Sequence, residues 1–263
     1  MNARLSKLTI QTLFSCSVFA IAMPALADST WSNLGTSCGD SATHLSNGVC
    51  GTQSGVALNA SGVSAASGTT FAAASLYNWG SNGLGVVNGS EDATATGPHA
   101  ADNISGTDAI QLKFGTAVTL KSLTIGWNGT DNPTSNSTGT YNDSDLSVLA
   151  WMGAGAPPAS SSLGGAGWQL VGNYADVGAS AGNTAAVSSA IYSSYWLISA
   201  YSSAFGGNAS TNLGNGNDAF KLTGISVGSK PSGNVPEPGS IALIGAGLFS
   251  LFFRSRRKQA TSV

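Results

Sequence analysis

The residues able to do chemistry are few and far apart in this sequence. Its 263 residues include two histidines, His44 and His99, and three cysteines. The string GTSCG at 35–39 fits the G-x-S-x-G pattern that presents a serine nucleophile, but that pattern works only between a strand and a helix of an α/β fold. Neither is visible around Ser37. Asp143 and Asp145, with Asp131 upstream, offer carboxylate oxygens of the kind that hold Ca²⁺, which takes six to eight oxygen ligands; the competing reading is a solvated acidic loop. GNGNDAF at 214–220 fits most of one Ca²⁺-binding nonapeptide, yet such sites form between stacked repeats. With one copy and Leu213 in place of the first glycine, a tight turn entering a strand at Phe220 is expected. Trp127, Trp151 and Trp168 are candidates for a sugar-stacking platform, and equally for core residues, since each falls in a strand-like run. No catalytic residue, metal site or cofactor is expected from these patterns.

The elements that must position these residues read as strands. Ile110, Leu112 and Phe114 alternate with Gln111 and Lys113; Val118 and Leu120 follow; Leu123, Ile125 and Trp127 alternate with Thr124 and Gly126. Period-two alternation broken by turn residues is the strand signature. Strand-like runs resume at 146–151, 168–174, 195–201 and 218–227. From 28 to 101 the pattern is weak, and only 71–79 suggests a buried segment. Residues 130–145 read as a long exposed loop or a frayed hairpin. The fold class implied is mainly β, an antiparallel β-sandwich of jelly-roll type occupying 28–229.

Charge narrows the partners. Between residues 28 and 234 there are four lysines, no arginine and eleven acidic residues, a net charge of −7. A phosphate backbone needs the opposite sign, so nucleic acid is excluded. Six tryptophans argue for a folded domain over a disordered one.

The two ends carry the most specific signals. Residues 1–27 have Arg4 and Lys7 in front, an apolar run over 13–22, and Ala25-Leu26-Ala27 before Asp28, the layout of a secretory signal peptide with its small cleavage-site residues at Ala25 and Ala27. Residues 230–234 form a linker. After them come Val235-Pro236-Glu237-Pro238, an apolar run to Phe253, and the basic cluster Arg254, Arg256, Arg257 and Lys258, with 259–263 as a short tail. The run from 240 to 253 rises about 21 Å as a helix, against the ~20 residues that a bilayer core asks for. Counting from Pro238, and letting the basic side chains snorkel, a single transmembrane helix over 238–253 is expected. The basic cluster places the tail in the cytoplasm and residues 28–234 outside.

This ordered triplet resembles the PEP-CTERM sorting signal of Gram-negative bacteria. The resemblance implies that Pro236, Glu237 and Pro238 are recognised by an exosortase, an integral-membrane protease, and that the protein passes through the inner membrane to the cell surface or matrix. The physical reading agrees, because two prolines fix the backbone and remove two donors, leaving an extended, accessible segment. The blocks DAIQLKFGTAVTLKSLTIGWNG, DSDLSVLAW, GWQLVGNYADV, SSYWLISAY and GNDAFKL also resemble the exosortase-dependent surface proteins. That subgroup's exported domain has no assigned enzymatic activity, which implies a non-enzymatic surface protein. The alternatives are a module binding exopolysaccharide and a secreted hydrolase using Ser37. In an oxidising compartment, Cys38 and Cys50 are expected to form a disulfide; metal binding with His44 is the alternative and lacks a fourth ligand.

Overall fold

The computed structural model describes residues 27–40, 43–66, 70–89, 99–104, 106–129, 144–159, 161–162, 167–178, 183–207, 213–214, 216, 218–230 and 247–248. It is mainly β and antiparallel. The first part holds β1 (Ser29–Trp31), a one-turn helix α1 (Leu34–Ser37), β2 (Thr43–Leu45), β3 (Gly48–Gln53), β4 (Val56–Ala65), β5 (Thr70–Asn78), β6 (Leu84–Val87) and β7 (Ala101–Asp102). The second part holds β8 (Thr107–Asn128), β9 (Ser144–Trp151), β10 (Ser161–Ser162), β11 (Trp168–Val177), β12 (Thr184–Ala186), β13 (Ser193–Ala200) and β14 (Ala219–Ser229). Hydrogen bonding connects them in the order β1-β14-β6-β5-β4-β8-β13-β9-β11, with a further pairing of β14 to β8.

β8 organises the domain. Twenty-two residues drawn straight would run roughly 73 Å, well beyond the ~40 Å span of a compact domain of this size. The strand therefore bends, and its two halves serve different neighbours. Residues 107–114 pair with β4, and 109–113 with β13. Residues 118–128 pair with β14, and 122–124 with β12. The alternation changes phase at the bend: Ile110, Leu112, Phe114, Val118 and Leu120 are buried on even positions, Leu123 and Ile125 on odd ones. Register supplies the cause. Ser226 faces Ser122 while Val227 faces Leu120, so Lys121 is the extra residue of a bulge. The three short strands suggested by the sequence are thus one continuous strand.

The main core lies between the two halves of β8. It takes Leu146, Val148 and Ala150 from β9, Trp196 and Ile198 from β13, and Phe220, Leu222, Ile225 and Val227 from β14. Trp196 is fully buried and donates its indole N–H to Ser193 O. A smaller cluster covers the opposite face of the β4–β8–β13–β9 region and includes Phe71, Leu149, Trp168, Leu197 and Phe205.

The weakly patterned stretch before 101 is also strand. β4 sits between β5 and β8 in the middle of the sheet order. Its buried side chains are Val56, Leu58, Ala60 and Ala65, and at the buried Gly62 any Cβ would approach Ser75 O to 2.8 Å. Small residues are required there by close backbone approach, and they erase the hydropathy signal that a strand normally shows.

Cys38 and Cys50 are joined as a disulfide, twelve residues apart. Beside it, the buried Trp31 of β1 donates its indole N–H to Cys50 O. Closing this loop stabilises the fold by roughly 3 kcal/mol on the chain-entropy estimate. Thiol labelling of denatured, unreduced protein is expected to find neither Cys38 nor Cys50 free, and reduction should lower the melting temperature. Labelling of both sites without reductant would contradict the pairing.

Candidate functional site

The sorting residues Pro236, Glu237 and Pro238, and the topology residues Arg254, Arg256, Arg257 and Lys258, lie outside the described residues, as does Ala25. Ala27 is exposed and precedes Asp28, whose carboxylate forms an exposed ion pair with Lys121 at 2.5 Å. Of the expected span 238–253, only Gly247 and Leu248 are described, and both are helical. Among the described residues no helix is long and apolar enough to cross a membrane. The domain's own geometry bears on the two ends, because β1 pairs with β14 in the register Ser29↔Val227 and Trp31↔Ile225. The residue after the expected cleavage site and the residues leading to the linker therefore share one edge.

The acidic candidates resolve into structural roles. Asp145 is buried, and its carboxylate accepts from the backbone N–H of Asp176 and of Gly214. Asp218 is also buried, accepting from Asp145 N–H at 2.7 Å and from Asn103 Nδ2 at 2.8 Å. Asn103 returns a bond by accepting from Asp218 N–H and donates again to Tyr201 O. Burial, with the nearby Asp145 and Asp218 charges, pushes the Tyr201 phenol above its ordinary value. Among the described residues no group of three or more acidic, histidine or cysteine side chains is arranged to hold a metal ion. Asp131 and Asp143 lie outside the described residues. The GNGNDAF string reaches β14 at Ala219, after Gly216 with φ +86°.

Ser37 is the last residue of α1, whereas a nucleophile elbow puts the serine at the turn between a strand and a helix. Its neighbour Cys38 is held in the disulfide. A Cβ at Gly35 would fall 1.8 Å from Gly80 O, which explains that glycine by packing alone.

The three tryptophans singled out by the sequence are not brought together. Trp151 and Trp168 meet edge to face, with centroids 5.4 Å apart. Trp127 instead stacks on Lys221, its cross-strand partner on β14, with Nζ 4.1 Å from the ring centroid. Trp79 covers the same ammonium from another side at 4.0 Å. Lys221 is only 4% exposed, and among the described residues no ion pair or hydrogen bond reaches its Nζ. Two indole faces are its polar environment, an arrangement that attracts a cation but does not replace its water. Burial accordingly lowers the Lys221 pKa to about 8. Nothing in the sequence signals this cage, since its parts lie at 79, 127 and 221 and only the β8–β14 register joins two of them.

The sign of the resulting pH dependence follows directly. Between about pH 8 and the ordinary lysine value of 10.5, the unfolded chain keeps a proton that the folded protein has released. Stability therefore rises with pH across that window. Melting temperatures of the protein and of Lys221→Met, measured from pH 7 to pH 10, should show the native protein gaining on the variant above about pH 8. A constant difference would show that Lys221 titrates normally.

Comparison with known families finds one match, at the carboxyl end: residues 234–258 fit the family described as the PEP-CTERM protein-sorting motif. Neither curated proteins nor solved structures give a match to the chain. The matched segment covers the Pro-Glu-Pro, the apolar run and the basic cluster, and a motif of this kind implies exosortase-dependent sorting toward the cell surface. The chain carries a PEP-CTERM protein-sorting motif, beginning five residues after Ser229, the end of the last described strand of a folded antiparallel β domain.

Proposed function

We propose that the protein is a non-enzymatic exported protein, delivered by an exosortase-like membrane protease to the cell surface or the exopolysaccharide matrix. The observation that carries this reading is the family match over 234–258. Residues 1–27 direct export and are removed after Ala27. The segment 238–253 holds the chain in the inner membrane transiently, and Arg254, Arg256, Arg257 and Lys258 fix its orientation. The protease recognises Pro236, Glu237 and Pro238 and releases the domain. That domain is a jelly-roll-like sandwich, a reading supported by the core enclosed between the two halves of β8. A non-enzymatic role is supported by Ser37 lying at the end of a one-turn helix and by the structural use of the buried Asp145 and Asp218.

Mass spectrometry of the protein recovered from the cell surface tests the reading. The expected mature form begins at Asp28 and ends close to residues 236–238. A surface form that still carries the basic cluster 254–258 would overturn it.

A further inference from the structure

The face of the sheet turned away from the main core bears a cleft of about 750 Å³ that no part of the sorting reading uses. Part of its lining is a cross-strand row, in which Ser61 on β4 lies opposite Gln111 on β8 and Gln111 lies opposite Leu197 on β13. Ser75 and Asn88 add polar groups. Trp168, Phe71, Pro157 and Pro158 add apolar surface, with Pro158 exposed and Pro157 half-buried.

Two properties of this lining select a ligand. Among the described lining residues none is an aspartate, glutamate, lysine or arginine, and the one ionisable ring is His44, packed edge-on against Tyr77. None of the four described lysines lines the cleft: Lys113 stands over Tyr195, Lys121 pairs with Asp28, Lys221 is caged by indoles, and Lys230 is exposed just past β14. An anionic ligand would thus be desolvated with no more than one imidazole to face it, and a cation would meet no carboxylate among the described lining residues. Secondly, the side chains of Ser61, Ser75 and Gln111 make no hydrogen bond among the described residues. A purely apolar occupant would strip water from two hydroxyls and an amide and give nothing back.

We infer that this cleft binds a neutral, hydroxyl-rich ligand, namely a segment of uncharged polysaccharide. Its hydroxyls exchange hydrogen bonds with Ser61, Ser75 and Gln111, each of which both donates and accepts. Its C–H surfaces lie against Pro157, Pro158 and the accessible part of Trp168. The volume falls in the range of small-ligand clefts, enough for a few sugar rings. The site differs from a platform of Trp127, Trp151 and Trp168, because only Trp168 lines it.

The test is calorimetric titration of the full chain, purified in a zwitterionic detergent that contains no sugar. The probes are neutral gluco-, manno- and galacto-hexasaccharides, a hexa-uronate and an extended neutral peptide. At least one neutral hexasaccharide should bind, and the uronate should bind about tenfold more weakly or not at all. Gln111→Ala should weaken binding about tenfold, the equivalent of one lost hydrogen bond in a desolvated site, with an unchanged thermal transition. Ser75→Trp, which fills the cleft, should abolish binding. No binding of any neutral sugar at millimolar concentration, a preference for the uronate or the peptide, or full binding by both variants would each overturn the assignment. Because the assay needs no processing in the cell, its failure leaves the role of Pro236, Glu237 and Pro238 untouched.

Discussion

Replacing Pro236, Glu237 and Pro238 by three alanines is expected to abolish processing while leaving membrane insertion intact. Insertion depends on apolar length and flanking charge, and nothing in bilayer physics requires a Pro-Glu-Pro turn. A protease that reads the segment needs it extended and free of helix, which two prolines enforce by fixing φ and removing two N–H donors. Alanine is the strongest helix former and would let the following helix propagate backward through the recognition site. The variant should accumulate in the inner membrane with 254–258 still attached. Removing the charge of Arg254, Arg256, Arg257 and Lys258 should act otherwise, by weakening the stop to transfer and the orientation. Fractionation of cells followed by mass measurement of the carboxyl end separates the two defects. Normal surface amounts of the triple-alanine variant, with an unchanged mature end, would show that the segment is only an anchor.

Asp218→Ala is expected to be the most damaging single change tested in the exported domain. The carboxylate satisfies two donors on buried residues, Asp145 N–H and Asn103 Nδ2. Leaving a buried donor unsatisfied costs about 1–3 kcal/mol, so the pair costs about 2–6 kcal/mol. Most domains have only about 5–15 kcal/mol in total. Asn103 also bonds Tyr201 O, and Asp145 bonds the 176 and 214 backbones, so the loss reaches five other chain positions, 103, 145, 176, 201 and 214. Asp218→Asn should recover part of the loss, since one acceptor survives while its amide faces the Asn103 amide. Asp28→Ala is the control: it removes an exposed ion pair worth about 0–1 kcal/mol. Urea unfolding of the three variants gives the order. Equal stability of Asp218→Ala and Asp28→Ala would show that the network is dispensable.

The sequence made the sorting signal and the later strands legible for different reasons. The Pro-Glu-Pro segment, the apolar run and the basic cluster are contiguous, so no fold is needed to assemble them. β9, β11, β13 and β14 alternate large apolar residues with polar ones and fall within a few residues of where that pattern puts them. β4 was hidden because VALNASGVSA trades side-chain bulk for close backbone approach at Gly62. The bend in β8 was hidden because a bulge at Lys121 reads, in one dimension, like a turn between two strands. The cleft floor was hidden more deeply. Ser61, Gln111 and Leu197 are unremarkable residues on three strands, and only registers fixed by folding set them side by side.

The pairing of β1 with β14 has a consequence in time. In a chain exported amino end first, Trp31 emerges near the beginning, while its partner Ile225 emerges almost 200 residues later. Until then β1, whose indole finishes 1% exposed, lacks the strand it pairs with. Once Ser229 has cleared the membrane, Pro236 follows seven residues behind, at most about 25 Å of extended chain. The final strand is thus completed just before the sorting signal comes within reach. A chain that stopped short of β14 would leave β1 without the strand it pairs with. Clasping β1 to β14 makes completion of the sheet order wait for the carboxyl end of the described domain.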